Sequence, residues 1–177
     1  MLFATPRLIV RPLLESDFAH VFAIRSDPAV MQYIRAPETD PEQVRERVSS
    51  WAAYAEKCPG LGVFAVEMRE GGAFAGYVTA RHVEFDPASP DHEVGYTFSQ
   101  AYWGQGIASE VLPPLCRYLF DLSAAPKIVA FTHPDNAASQ RVLLKCGFQQ
   151  AGMRVVYGIE GTEFWLERPQ GKPSDEV

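Results

Sequence analysis

Cysteine is scarce in this chain: only Cys58, Cys116 and Cys146 occur, far apart and without a C-x-x-C pair. Neither a disulfide scaffold nor a structural zinc site is indicated by that spacing. No run of about eighteen apolar residues is present that could span a bilayer. The opening M-L-F-A-T-P-R-L lacks a basic leader followed by an apolar core. Positive charge is also short, with 16 Lys and Arg against 22 Asp and Glu and a formal charge of −6, which argues against broad contact with nucleic-acid backbones. These absences predict a soluble protein of a reducing, cytoplasmic setting, with no nucleic-acid, membrane or metal partner. The acidic balance favours a cationic acceptor, although acidic side chains also serve simply to keep a surface soluble.

Apolar residues, by contrast, are plentiful. They make up 47% of the 177 residues, enough to bury a substantial core, and the length suits one domain better than two. That domain is expected over residues 1–169, with a loose polar tail over 170–177.

Strands are expected where polar and apolar residues alternate around β-branched positions: 7–13, 61–68, 74–83 and 93–98. Helices are expected from Ser16-Asp17 to Asp27-Pro28, over 29–34, and from Pro41 to Cys58-Pro59-Gly60, the last with a stripe of Val44, Val48, Trp51, Ala52 and Ala55. A further helix over 109–122 contains Pro113-Pro114, which predicts a kink or a later start because proline lacks the N–H and clashes with the preceding turn. The chain closes with a strand at 127–133, a helix capped by Asn136 and ended by Gly147, and strands at 148–157 and 162–167. The pattern is α+β, a mixed sheet with helices on its faces.

Between the fourth of these strands and the helix lies W-G-Q-G-I-A-S, Trp103 to Ser109. Glycines that lead into a helix N-terminus leave several backbone N–H groups unpaired at the positive end of the helix dipole, an arrangement that binds phosphate. Gly104 and Gly106 lack the Cβ atoms that would block an anion, and Ala108 and Ser109 keep the first turn narrow. A Rossmann site would need these glycines after the first strand of a βαβ unit and an acidic residue about 20 positions on, and that context is missing. A P-loop would need Gly-Lys-Ser/Thr, which does not follow. An ordinary turn is the remaining alternative.

Four segments, taken in order, carry a family resemblance: T-P-R-L-I-V-R-P-L, S-D-P-A-V-M-Q-Y-I, E-V-G-Y-T-F-S-Q-A-Y-W-G-Q-G-I-A-S-E and N-A-A-S-Q-R-V-L-L-K-C-G-F. Together they resemble the GNAT (GCN5-related) N-acetyltransferases, in their RimJ/RimL-like branch, from about Thr5 to Trp165. The resemblance implies a mixed, mostly antiparallel sheet of about seven strands flanked by helices and splayed between the fourth and fifth core strands, with acetyl-CoA in the opening. It implies transfer of acetyl directly to a primary amine, either a protein or peptide N-terminal α-amine or a small-molecule amine. A CoA-binding regulatory module without catalysis is the alternative, and a homodimer is left open.

Carried over by position, the backbone of Thr97 and Phe98 holds the pantetheine arm. The amides of Trp103, Gly104, Gln105, Gly106, Ile107, Ala108 and Ser109 hold the pyrophosphate, and Asn136 contacts the pantetheine or simply caps its helix. Ala101 stands where a basic residue or glutamine is usual, with Gln100 next to it. Acetylation needs a neutral amine, so a lysine-like amine near pKa 10.4 requires a base more than an α-amine near 7.7–8.0 does. Glu93, directly or through water, is the first candidate and His133 the second. Some relatives place a glutamate and a tyrosine where this chain has Phe131 and Leu143. Ser139, from the N-x-x-S pattern, is then the candidate to meet the departing thiolate or the cofactor. Cys116 and Cys146 are not needed for direct transfer.

Overall fold

The computed structural model describes residues 1–156 and 158–170; the expected polar tail, from residue 171 onward, and position 157 lie outside them. Strand β1 (Phe3–Ala4), not foreseen from the sequence, pairs antiparallel with β2 (Leu8–Pro12). The alternation in β2 buries Leu8 and Val10 completely. Arg11, between them and the strand end, reaches out to Glu67 and to both oxygens of Asp17.

That pairing changes the reading of Asp17. Its carboxylate also accepts the Leu14 N–H at 2.8 Å, so it ties a single 3-10 turn to β2 rather than capping helix α1 (Phe18–Arg25). Asp27-Pro28, expected as the end of the first helix, also starts the next one, and proline leads both of the following helices. Asp27 accepts the Ala29 N–H to cap the short α2 (Pro28–Met31), and Asp40 accepts the Glu42 N–H to cap α3 (Pro41–Lys57). Proline at the first helical position loses a donor that would have been unpaired anyway.

Three antiparallel strands follow, β3 (Gly62–Met68), β4 (Phe74–His82) and β5 (His92–Phe98), and then α4 (Ile107–Leu122). The chain continues through β6 (Lys127–Thr132), α5 (Ala137–Lys145), β7 (Gln149–Val156) and β8 (Ile159–Glu167). The sheet order is β1-β2-β3-β4-β5-β6-β8-β7, with β5 and β6 parallel. Period-2 alternation sends neighbouring residues to opposite faces. Phe64, Val78, Val94 and Phe98 pack with Val111, Leu112, Leu115 and Leu119 of α4 and Leu143 of α5. Val63 and Tyr77 pack on the other side with Val21, Ile24, Val44 and Val48 of α1 and α3.

Helix α4 does not start later than expected: it begins at Ile107, ahead of both prolines. It runs unbroken through Pro113 and Pro114. Pro113 has no N–H to offer the carbonyl of Ser109, four residues back, and that oxygen instead meets the Cys146 sulfur at 3.9 Å. Two interior prolines cost roughly 3 kcal/mol each. Leu112, Leu115 and Leu119 are completely buried on the same helix, and at about 1.5–3 kcal/mol per buried leucine their packing offsets that cost.

Counting from β2, the fourth and fifth core strands part as the resemblance implies. Strands β5 and β6 pair only at His92↔Ile128 and Glu93↔Val129. Beyond those two rungs β5 stays on β4 along its whole length and β6 stays on β8. An opening is left between them.

Candidate active site

The edge of β5 that borders this opening follows from ladder geometry. Ser99 N–H bonds the Ala75 carbonyl at 3.0 Å, and in an antiparallel pair the backbone groups of alternate residues turn to opposite sides. The Thr97 backbone therefore faces β4. A Cβ on Gly76 would fall 2.2 Å from the Thr97 carbonyl oxygen, so β4 needs glycine at this close approach. The groups turned to the opening belong to Tyr96 and Phe98, which moves the expected Thr97 contact by one residue. The Phe98 carbonyl already accepts the Trp103 indole N–H at 2.8 Å.

The glycine turn lies at the mouth of the opening. Gly104 and Gly106 have φ of 70° and 77°, the left-handed region that costs a side chain roughly 1–2 kcal/mol. A Cβ at Gly104 would touch nothing within 4 Å, so the surface there is open. No side chain caps α4, and its first backbone bond runs from Glu110 N–H to Gly106 O at 3.0 Å. The N–H groups of Ile107, Ala108 and Ser109 thus have no helical acceptor at the positive end of a long helix.

Side chains brace the turn from behind. Arg7, at the approach to β2, donates to the Gln105 carbonyl at 3.0 Å and pairs with Glu110 at 2.6 Å, while Thr5 donates to the same glutamate. Gln105 itself donates to the Ala101 carbonyl at 2.6 Å. Gln100 turns away and bonds Asp27 at 2.7 Å. Arg7 was missed as a functional residue, although it stands inside the T-P-R-L segment.

Asn136 caps α5 by accepting the Ser139 N–H at 3.1 Å. Tyr96, also missed, reaches from β5 across the opening to α5. Its hydroxyl lies 2.8 Å from Ser139 Oγ and donates to the Ser139 carbonyl at 3.1 Å. Burial pushes the Tyr96 phenol up to about 12, so it keeps its proton. Two hydrogen arrangements are open to this pair. With the phenol on the carbonyl, Ser139 donates to Tyr96; with the phenol on Ser139 Oγ, the serine proton is released to point into the opening.

Glu93 occupies the last rung before the strands part and is 6% exposed. It accepts from Arg81 at 3.1 Å, and Arg81 also holds Glu84. His133 stands just past the end of β6, its ring 5.3 Å from that of Tyr33. Its Nδ1 accepts the Asp135 N–H at 3.2 Å, which assigns the hydrogen of the neutral ring to Nε2. The ring therefore presents a donor outward, a poor starting state for a base. Phe131 packs edge-on against Phe85, and Leu143 is buried in the core, so neither position offers a titrating group. Among the described residues no group of three or more His, Cys, Asp or Glu could hold a metal ion, and no helix is long and apolar enough to cross a membrane.

Unpaired amides at a helix N-terminus, glycines that leave the approach clear, and a parted edge of β5 fit acetyl-CoA, whose pyrophosphate and pantetheine need these donors. A parted mixed sheet with this turn defines the class of acyl transferases that use CoA thioesters. The chain belongs to the GNAT acetyltransferases: the family model described as "Acetyltransferase (GNAT) domain" matches residues 7–149. It is 30% identical over 157 residues to the uncharacterized N-acetyltransferase YoaA of Bacillus subtilis (strain 168), covering 86% of this chain and 85% of that one. Its fold is similar to that of an acetyltransferase from Agrobacterium tumefaciens str. C58, with TM-score 0.80, 22% identity and 94% of each chain covered. It is likewise similar to RimL, a ribosomal L7/L12 alpha-N-protein acetyltransferase, in complex with coenzyme A, with TM-score 0.79, 19% identity and 94% and 97% covered.

Proposed function

We propose that this protein transfers acetyl from acetyl-CoA directly to a primary amine, a protein or peptide N-terminal α-amine or a small-molecule amine, with both substrates bound together. The observation that carries this reading is the parting of β5 from β6 beside an uncapped α4. Acetyl-CoA, when bound, supplies an activated acetyl thioester. The amides from Gly104 to Ser109 hold its pyrophosphate, the Trp103 N–H being taken by the Gln100 carbonyl at 3.1 Å, and Arg7 fixes the turn that presents them. The backbone of Tyr96 and Phe98 holds the pantetheine arm as an added strand would, with Asn136 at its side.

The amine must arrive or become neutral to attack. Glu93, at the vertex of the opening, takes its proton directly or through a water; His133 is the alternative and would first have to exchange its Nδ1 bond. Ser139 meets the sulfur side, and Tyr96 lets its hydroxyl proton point there. Burial raises the pKa of both Cys116 and Cys146, which keeps them as thiols and favours direct transfer over a cysteine-bound acetyl.

Thiol release from acetyl-CoA, followed across a panel of amines and peptide N-termini, tests the reading. Intersecting double-reciprocal lines are expected. Ping-pong kinetics with acetyl trapped on a cysteine would overturn direct transfer. Binding of acetyl-CoA without acetylation of any amine would leave a CoA-binding regulatory module instead.

A further inference from the structure

Arg25 and Arg47 converge on one carboxylate, Glu38, with Arg35 nearby. Arg25 holds it through Nε and Nη2 at 2.7 and 2.6 Å, and Arg47 through Nε and Nη2 at 3.2 and 2.7 Å. Each Glu38 oxygen thus accepts two bonds, which fills its capacity. The remaining Arg25 nitrogen, Nη1, donates to the Tyr77 hydroxyl at 3.0 Å. Arg25 and Glu38 are buried, 4% and 7% exposed. Arg35 is exposed and lies within electrostatic reach of Arg47, Arg25, Glu38 and Tyr77, yet no carboxylate among the described residues pairs with it. Partial burial, then Arg47 and Arg25, push its pKa below the ordinary arginine value. Three guanidiniums face one carboxylate here, in a chain whose formal charge is −6.

The cluster flanks the opening. Tyr33, two residues before Arg35, lies with its ring tilted beside that of His133, just past the end of β6. Tyr77 lies opposite Thr97 of β5, on the face it shares with Glu93 rather than with Tyr96 and Ser139. A local surplus of guanidinium beside the opening, partly desolvated, attracts an anion, and the planar fork matches a carboxylate.

We infer that Arg35, backed by Arg47 and Arg25, binds a carboxylate carried by the acceptor, so that the amine acetylated belongs to an amino-carboxylate; this rests on the opening being the acetyl-transfer site. The carboxylate comes either from a small amine or from an acidic residue near a peptide N-terminus. It reverses the expectation of a cationic acceptor drawn from net charge, because local surplus decides what a wall binds.

Glutarate, with two carboxylates and no amine, tests the site without turnover. Titrated into the CoA-loaded protein and followed by NMR of arginine side-chain N–H groups, it should bind and shift Arg35. Binding should weaken about tenfold in Arg35→Gln and less in Arg35→Lys, which keeps charge but loses the fork. Absence of binding, or equal binding by Arg35→Gln, overturns the inference.

Turnover then identifies the source: 4-aminobutyrate against its amide, and an amidated Ser-Glu-Glu peptide against Ser-Gln-Gln. At least one acidic member should exceed its neutral partner about tenfold in kcat/KM, and Arg35→Gln should erase that preference without changing KM for acetyl-CoA. Equal kcat/KM within both pairs overturns the inference. Glutarate bound at Arg35 with no amine acetylated would sink the transfer reading and leave the anion site standing.

Discussion

On the wall proposed for the cofactor, the groups offered to a ligand are backbone amides from one stretch, Tyr96 to Ser109, presented by two left-handed glycines and an uncapped helix. On the wall proposed for the acceptor they are side chains gathered from α1, the segment after α2, α3 and β5, and they are charged: Arg25, Arg35, Glu38, Arg47 and Glu93. The first wall is set by local conformation, so bulk should damage it and charge should matter little. The second is set by electrostatics in a partly buried site, so charge should matter and shape less.

Changes that press on this contrast differ in size. Glu38→Ala leaves two guanidiniums without their anion, one of them buried, and should cost about 3–5 kcal/mol of stability, read by denaturant unfolding. The Arg25 guanidinium holds the Glu38 carboxyl down to about 2 from the usual 4.5. A depressed carboxylate contributes stability that is present above its ordinary value and lost as pH falls. The wild-type melting temperature should therefore drop between pH 4.5 and 2, and Glu38→Gln should flatten part of that drop.

Gly106→Trp should come next, weakening acetyl-CoA binding by about 100-fold or more while lowering the melting temperature by only a few degrees, since the strain is roughly 1–2 kcal/mol in a chain of this size. Calorimetry and a thermal melt together check it. Retained affinity would break the contrast, because the turn would then not hold the phosphates.

Glu93→Gln should lower kcat by about 10- to 100-fold, with a changed pH profile and unchanged acetyl-CoA affinity. If His133→Gln produces that signature and Glu93→Gln does not, the base lies at the end of β6. The smallest effect should be that of Tyr96→Phe, roughly 3- to 10-fold in kcat, because Ser139 loses one hydrogen-bond partner worth about 1 kcal/mol. A matching loss in Ser139→Ala and no further loss in the double variant would show that the pair acts as one unit.

Legibility in the sequence followed the same division. The turn at Trp103 to Ser109, the Pro41 start of α3 and the Gly147 stop of α5 could be read because each is decided within a few residues by φ, caps and missing donors. That helix α4 continues through Pro113-Pro114 was not legible, because the deciding factors, buried leucines and the sulfur of Cys146, come from packing. Thr97 was preferred over Tyr96 because side-chain patterns do not reveal which way a strand's carbonyls turn. Arg7 and Tyr96 were passed over although both stood inside quoted motifs, since their partners, Gln105 and Ser139, lie far along the chain. The convergence around Glu38 was not legible, because four charged side chains spread over two helices and a loop look like ordinary surface until they are brought together.

The sequence by itself determined the order of the main strands and helices, the position of the glycine turn and the α+β class, because local dihedral preference and hydrophobic period act over short distances. Only the tertiary structure decided where β5 leaves β6, which backbone edge faces the opening, and that a chain of net negative charge gathers a surplus of guanidinium beside it. Those properties depend on contacts between residues remote in sequence, and on the loss of solvent screening that accompanies their burial.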